Sequence, residues 1–315
     1  MGYDTTHTKF LKVYLAMPTL VPTLKRIMEE GIDLPGVVRS SDAKDTYGER
    51  GGGEAGNAGM LSFQPFECNV PFVLRFMIDR SITGAGWLTL PKGTYKIRTD
   101  EKKKLTHCQL EVDISYDEII PHKPEGEWSK IAPIRILSVD IECQGRKGHF
   151  PEAEKDPVIQ IANVVSVYGD KSGAPLAQNV FTLKGCLPIV GAQVIPSDTE
   201  EDMLLKWRVF LQACDCDIIT GYNVQNFDIP YLLDRADTLM KKKESKRKLA
   251  PFFQWGRVKG VMAKKTEKMF QSAATGRRSN METTIDGRVI FDMLPYMQRN
   301  HKLSSYTLNS VCAEF

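Results

Sequence analysis

Along the first third of the chain, apolar positions come in short runs with one clear helical stripe. Phe10–Leu15 has strand character. Leu20, Leu24, Ile27 and Met28 then recur at helical spacing and predict a helix over 18–31. Short strands are expected at Val70–Ile78, Trp87–Leu90, Tyr95–Arg98 and Cys108–Ile114, with Leu90-Pro91-Lys92-Gly93 turning between two of them. Beyond residue 130 the runs lengthen. Ile134–Ile141 and Val158–Val167 read as apolar on both faces, the pattern of central sheet strands covered from both sides. Val180–Leu183 adds a third strand. Ser197-x-x-Glu200 reads as a capping box opening a helix with Met203, Trp207, Phe210 and Leu211 on its inner stripe. Asp217–Gly221 is a short strand, and Ile229, Leu232, Leu233, Ala236, Leu239 and Met240 have helical spacing. A hairpin is expected between Arg257 and Arg288, then a strand at 288–291 and helices near 293–299 and 305–312. Mixed strands and helices make this half α/β.

Proline and glycine divide the chain. Pro121, Pro124 and Pro133 mark a polar boundary between a mainly β front domain, residues 1–130, and an α/β domain, residues 131–315. About residues 36–60, the glycine-rich wording Gly51-Gly52-Gly53-Glu54-Ala55-Gly56 cannot pack a core and reads as a flexible loop. Lys241–Lys248 is a basic run, expected to be a solvated loop rather than a phosphate site or a localisation signal.

Composition narrows the class. With 42% hydrophobic and 26% charged residues the chain is globular in type, and no apolar run approaches a membrane span. The polar N-terminus shows no secretory pattern. A net charge of +3 neither demands nor excludes a polyanionic partner. Seven scattered cysteines, with only Cys214 and Cys216 close together, make neither a zinc site nor a disulfide framework. Reduced thiols in a cytosolic or nuclear setting are expected.

The sharpest chemical feature is Ser138-Val139-Asp140-Ile141-Glu142. Residues two apart in a strand share a face, so Asp140 and Glu142 point the same way from an apolar strand. Two neighbouring carboxylates repel, and a hard divalent cation such as Mg²⁺ removes that cost. A solvated strand end would carry the same acids. Gly221-Tyr222-Asn223-Val224-Gln225-Asn226-Phe227-Asp228 links a strand to a helix. Taken alone, Asp228 would complement the helix dipole and Asn226 would cap. Taken with Asp140 and Glu142, it completes three carboxylates able to bracket one or two metals for phosphodiester hydrolysis. Asp292 is expected to cap a helix, Trp207 to be core, and His149 and His301 to be ordinary residues.

IAPIRILSVDIEC, GYNVQNFDIPYLLDRA, GRRSNMETTIDGR and HKLSSYTLNSV resemble the family-B DNA polymerases, as does FECNVPFVLRFMIDRSITGAGWLTLPKGTY in the front domain. The resemblance covers nearly the whole chain except the glycine-rich loop and the basic run. It implies a ribonuclease-H-like 3′→5′ proofreading exonuclease domain. Asp140 and Glu142 match the metal-binding acids of the family's first exonuclease motif, and Asp228 the acid of the second. Asn223 and Phe227 would lie beside the 3′-terminal nucleotides. Arg277 and Arg278 would touch DNA, and a phosphate role is weighed for Arg288. The family's third motif, a Tyr followed four residues later by an Asp, has no match up to Phe315. The resemblance therefore implies part of a larger replicative polymerase, weakly active or inactive alone. It further implies two Mg²⁺ ions, a primer 3′ end and template strand, accessory subunits and a sliding clamp, a nuclear location and no membrane. An iron–sulfur cluster and zinc belong to the family's C-terminal cysteine-rich modules. A free-standing exonuclease and a non-catalytic nucleic-acid-binding module are the rival readings. The retained acids count against the second.

Overall fold

The computed structural model describes residues 10–33, 60–241, 243–272 and 276–315. The glycine-rich loop expected at about 36–60 lies, but for residue 60, outside them. By its contacts the chain divides into two compact units: Met1–Pro91 with Tyr116–Trp128, and Lys92–Ser115 with Ser129–Phe315.

The front half runs α1 (Val21–Glu30), β1 (Ile32–Asp33), β2 (Met60–Leu61), α2 (Phe72–Asp79), β3 (Leu88–Thr89), β4 (Tyr95–Ile97), β5 (Val112–Ile114) and β6 (Ile120–Pro121). In the first unit β1 pairs with β2 and β3 with β6, both antiparallel. Two expected strands are absent. Phe10–Leu15 lies outside any strand. Among the described residues no strand pairs with this run, and without a partner for its backbone groups an apolar run gains nothing from strand geometry. Val70–Ile78 forms α2 instead. Pro71 stands at its N-cap, and an i,i+4 pair from Arg75 to Asp79 at 3.0 Å supports the helix over the β-branched propensity.

The second unit carries the β4–β5 hairpin and then β7 (Arg135–Cys143), β8 (Val158–Val167), β9 (Ala177–Leu183), β10 (Gln193–Ser197), α3 (Glu200–Cys214), β11 (Ile218–Gly221), α4 (Asp228–Met240), α5 (Lys243–Leu249), β12 (Lys264–Ser272), β13 (Gly276–Thr284), β14 (Val289–Asp292), α6 (Met293–Asn300) and α7 (Leu308–Glu314). Six strands form one mixed sheet in the order β10-β9-β8-β7-β11-β14. β8 runs antiparallel to β7 and β9, while β11 runs parallel to both β7 and β14. This helix-flanked mixed sheet is the architecture expected of a ribonuclease-H-like domain.

One face of the sheet is sealed. Leu137, Val139 and Ile141 of β7 and Ile161 and Val165 of β8 pack with Met203, Trp207 and Leu211 of α3 and Ile229, Leu232 and Ala236 of α4. Trp207 is core, as expected, and its indole N–H donates to Asn163 Oδ1 at 2.9 Å. The other face of β7 is open. Its burial alternates strictly, with Ser138, Asp140 and Glu142 exposed. The expectation of a strand covered on both sides is thus corrected, because the polar residues of a period-two pattern keep that face in water.

Two further local expectations change. The N-cap of α3 is Thr199, which accepts from Asp202 N, rather than Ser197. Glu200 is drawn inward: it accepts from Val158 N at 2.8 Å and makes a bidentate buried pair with Arg235 of α4. The basic run is not a loop but helix α5. Ser245 and Leu249, four residues apart, are buried, and Ser245 Oγ bonds Glu201 while Lys248 pairs with Asp202 of α3. The hairpin expected between Arg257 and Arg288 is present as β12–β13.

Candidate active site

Asp140 and Glu142 stand on the open face of the central strand, and Asp228 opens α4 immediately beside it. Asp228 is 2% exposed. Its Oδ1 accepts from the backbone N–H of Ile141, the residue between the two strand acids, at 3.0 Å. Burial, and then the adjacent charge of Asp140, push the Asp228 carboxyl up to about 7 against the pull of backbone N–H donors. Asp140 and Asp228 are therefore brought together. Glu142 is not gathered with them: among the described residues no three His, Cys, Asp or Glu side chains form a group that would hold a metal ion. Like-charge repulsion leaves a long, exposed glutamate in water, and the ladder shifts register between Glu142 and Cys143. All three groups offer hard oxygen, and a buried carboxylate beside a second one is a site that a divalent cation would neutralise. Among the described residues no salt bridge reaches any of the three acids.

The loop from β11 to α4 is held by its own backbone requirements. Gly221 ends β11 where an added Cβ would lie 2.6 Å from Val139 O, so a side chain there would force β11 away from β7. Asn223 takes the left-handed conformation, φ 64, which asparagine tolerates better than most residues. Asp292 at the end of β14 fixes this turn. Its Oδ1 accepts from Asn223 N at 2.9 Å, and its Oδ2 from Gln225 N at 3.0 Å. It also caps α6 through Leu294 N, as expected. The clamp on the loop was not legible, because it depends on β11 and β14 lying side by side, with Gly221 opposite Asp292.

Asn226 does not cap α4; its Nδ2 donates to Asn223 Oδ1 and its Oδ1 accepts from Met281 N. Phe227 is half-buried between two rings, Phe150 at 5.3 Å and Tyr231 at 5.5 Å. Phe150, which the motif reading passed over, is 74% exposed and adds an open aromatic surface at this edge. Arg277 and Arg278 sit on β13 opposite Gln271 and Phe270. Arg288 points inward instead of toward solvent. Its guanidinium donates to Trp255 O and pairs with Asp215. The phosphate role considered for it is excluded by burial. All seven cysteines are free thiols.

The fold, the paired acids of β7 and α4 and the clamped loop define an exonuclease-type nuclease domain, and the exonuclease-domain profile of DNA polymerase family B matches residues 63–311. The chain belongs to DNA polymerase family B. It is 46% identical over 316 residues to a DNA polymerase delta catalytic subunit of Glycine max, covering all of this chain and 26% of that protein. The same-named subunit of Mesocricetus auratus is 45% identical over 97% of this chain, and that of Candida albicans 50% over 78%. The chain spans about a quarter of the length of the curated relatives it matches. A carboxylate set on this fold suits hydrolysis assisted by a divalent metal.

Proposed function

We propose that this chain carries the 3′→5′ proofreading exonuclease of a replicative DNA polymerase of the delta type, acting in the nucleus on a primer 3′ end. The observation that carries the reading is Asp228: a buried carboxylate set against Asp140 on the open face of the central strand, with its turn clamped by Asp292. Asp140 and Asp228 would hold Mg²⁺, with Glu142, exposed on the same open face of β7, turning in to join them once the cation offsets their mutual repulsion, and a second ion would need a further acid from the larger polymerase. Bound there, Mg²⁺ would favour deprotonation of a water and stabilise the leaving 3′ oxygen. The residues of the chain do the rest. Ile141 N–H fixes one oxygen of Asp228. Asn223, held by Asp292, presents a polar side chain at the loop, and Phe150 with Phe227 offers a face on which an unpaired terminal base stacks. A mispaired end is favoured because unpairing it costs less. The functional partition is a front domain within 1–130, contributing to template handling, and an exonuclease domain of 131–315 to which 92–115 lends a hairpin. Accessory subunits, the sliding clamp, an iron–sulfur cluster and zinc belong to the larger polymerase.

Metal titration tests this directly. Calorimetry with Mg²⁺ or Mn²⁺ is expected to show binding that Asp140→Ala and Asp228→Asn each abolish. In the larger polymerase, excision from a 3′-labelled single strand is expected to require Mg²⁺ and to vanish with Asp140→Ala. A chain that binds metal equally well after both substitutions, or excision that survives Asp140→Ala, would overturn the assignment.

A further inference from the structure

The β12–β13 ribbon is a sheet of two strands that does not join the six-stranded sheet. A lone two-stranded ribbon is marginal in water, so its side attachments decide where it sits. Thr283 and Ile285 are buried at its base. Lys265 of β12 pairs with Asp234 of α4. On the other strand, Met281 N donates to Asn226 Oδ1 at 3.2 Å. The same Asn226 side chain donates through Nδ2 to Asn223 Oδ1 at 3.3 Å. Asparagine has one acceptor and one donor end, so the bond to the Met281 N–H dictates that the amino group faces Asn223. Asn223 itself cannot follow freely, because Asp292 pins its backbone. The ribbon and the loop beside Asp228 are thereby joined through one exposed side chain. The ribbon is also rich in cationic residues, with Lys264, Lys265 and Lys268 on β12 and Arg277 and Arg278 on β13, a composition suited to a phosphate backbone.

We propose that Asn226 is a positioning residue that couples the β12–β13 ribbon to the side chain of Asn223, so that a DNA strand which shifts the ribbon also shifts a polar group beside the chain end. This rests on the exonuclease reading for the identity of the ligand, but the coupling itself does not need metal or activity to be seen.

The test is residue-resolved hydrogen exchange on the chain without DNA or metal, followed by binding of a single strand carrying 2-aminopurine at its 3′ end. Asn226→Ala is expected to speed exchange of the Met281 amide by about tenfold, the upper range for one net hydrogen bond. Asn226→Asp keeps the acceptor and is expected to leave Met281 near the wild-type rate. Asp234→Ala releases the other tether and is expected to leave Met281 protected. With the labelled strand, Asn226→Ala should weaken the terminal-base signal by about two- to tenfold, while a strand labelled at an internal base binds as before. Unchanged Met281 exchange in Asn226→Ala, or equal loss in Asn226→Asp, would remove the tether. A lost tether with wild-type 3′-end binding would refute the coupling to Asn223. If the wild-type chain gave no terminal-base signal at all, the exonuclease reading would fail, and the exchange rates would still decide the tether.

Discussion

Asp228 is a carboxylate that folding takes out of water and sets against another acid. The consequence is a pH dependence whose sign can be worked out. An unfolded aspartate titrates near 3.9, whereas Asp228 in the fold is pushed up to about 7 by burial and Asp140. Between those values the folded chain keeps a proton that the unfolded chain has lost, so stability falls as pH rises. The contribution of Asp228 is complete below about pH 4 and is lost as pH passes through about 7. Asp228→Asn removes the titration. Urea unfolding in EDTA should therefore show the wild type losing stability relative to Asp228→Asn between pH 5 and 8. Saturating Mg²⁺ at pH 8 should restore the wild type alone, because cation binding selects the folded state. Parallel pH profiles for the two proteins would show that Asp228 is not held in a proton-retaining site.

At the scale of elements, α3, α4 and β8 are joined by a single buried ion pair. Glu200 accepts from Val158 N and from Nε and Nη2 of Arg235, while Nη1 of Arg235 donates to Ala153 O at 3.0 Å. The side chains are 7% and 10% exposed. Arg235→Met would strand the carboxylate in the core and is expected to cost about 3–5 kcal/mol. Glu200→Gln combined with Arg235→Met removes the orphaned charge while keeping an acceptor for Val158 N–H. It should recover at least about 1 kcal/mol of that loss. Chemical denaturation of the two variants decides this; a double variant no more stable than Arg235→Met would mean that the charge is not what the core resists. The pair also shows what pattern reading misses. β7, β8, β9, β11 and β14 of the central sheet, the α3 and α4 stripes and the closeness of Asp140 and Asp228 were legible because they stand out as apolar runs, helical spacing or a motif, whereas the short edge strand β10 was not foreseen. Ser197-x-x-Glu200 had the form of a capping box, but a partner 35 residues further on, Arg235, claimed Glu200. Phe72–Asp79 became a helix through Arg75 and Asp79, and Ser245 and Leu249 made a helix of a run whose charges suggested a loop. For Glu200, and for Ser245 with its partner Glu201, the decisive contact lies outside the window in which the pattern was read; for α2 it is an i,i+4 ion pair that a strand reading does not count.

For the whole molecule, the decisive arrangement is how sequence-distant segments share one unit. The prolines at 121–133 mark a break in composition, yet Lys92–Ser115 belongs by its contacts with Ser129–Phe315. The reason is backbone pairing across more than a hundred residues. His107 N donates to Arg257 O at 2.7 Å, Lys259 N donates to Leu105 O at 2.8 Å, and Thr106 bridges Val258. Gln109 reaches Asp215, which also receives Arg257 and Arg288 at the start of β11. Such pairings carry no local signature, since each side by itself reads as a short strand or a turn. They give a prediction about where the second unit begins. A chain starting at Lys92 retains the hairpin that fills these backbone groups. A chain starting at Ser129 leaves Arg257 O and Lys259 N without it and frees Asp215 from Gln109. Counting about 1 kcal/mol for each lost hydrogen bond gives about 3 kcal/mol, or a melting point lower by about 6–12 °C for a unit of this size. Thermal unfolding of the two chains at equal salt and pH measures the difference. Equal melting points would show that residues 92–115 ride on the second unit without supporting it. A lower one for the shorter chain would make the hairpin a structural part of the domain that holds Asp140 and Asp228, because Arg257 and Asp215 anchor the strand leading directly to Gly221 and the loop behind Asp228.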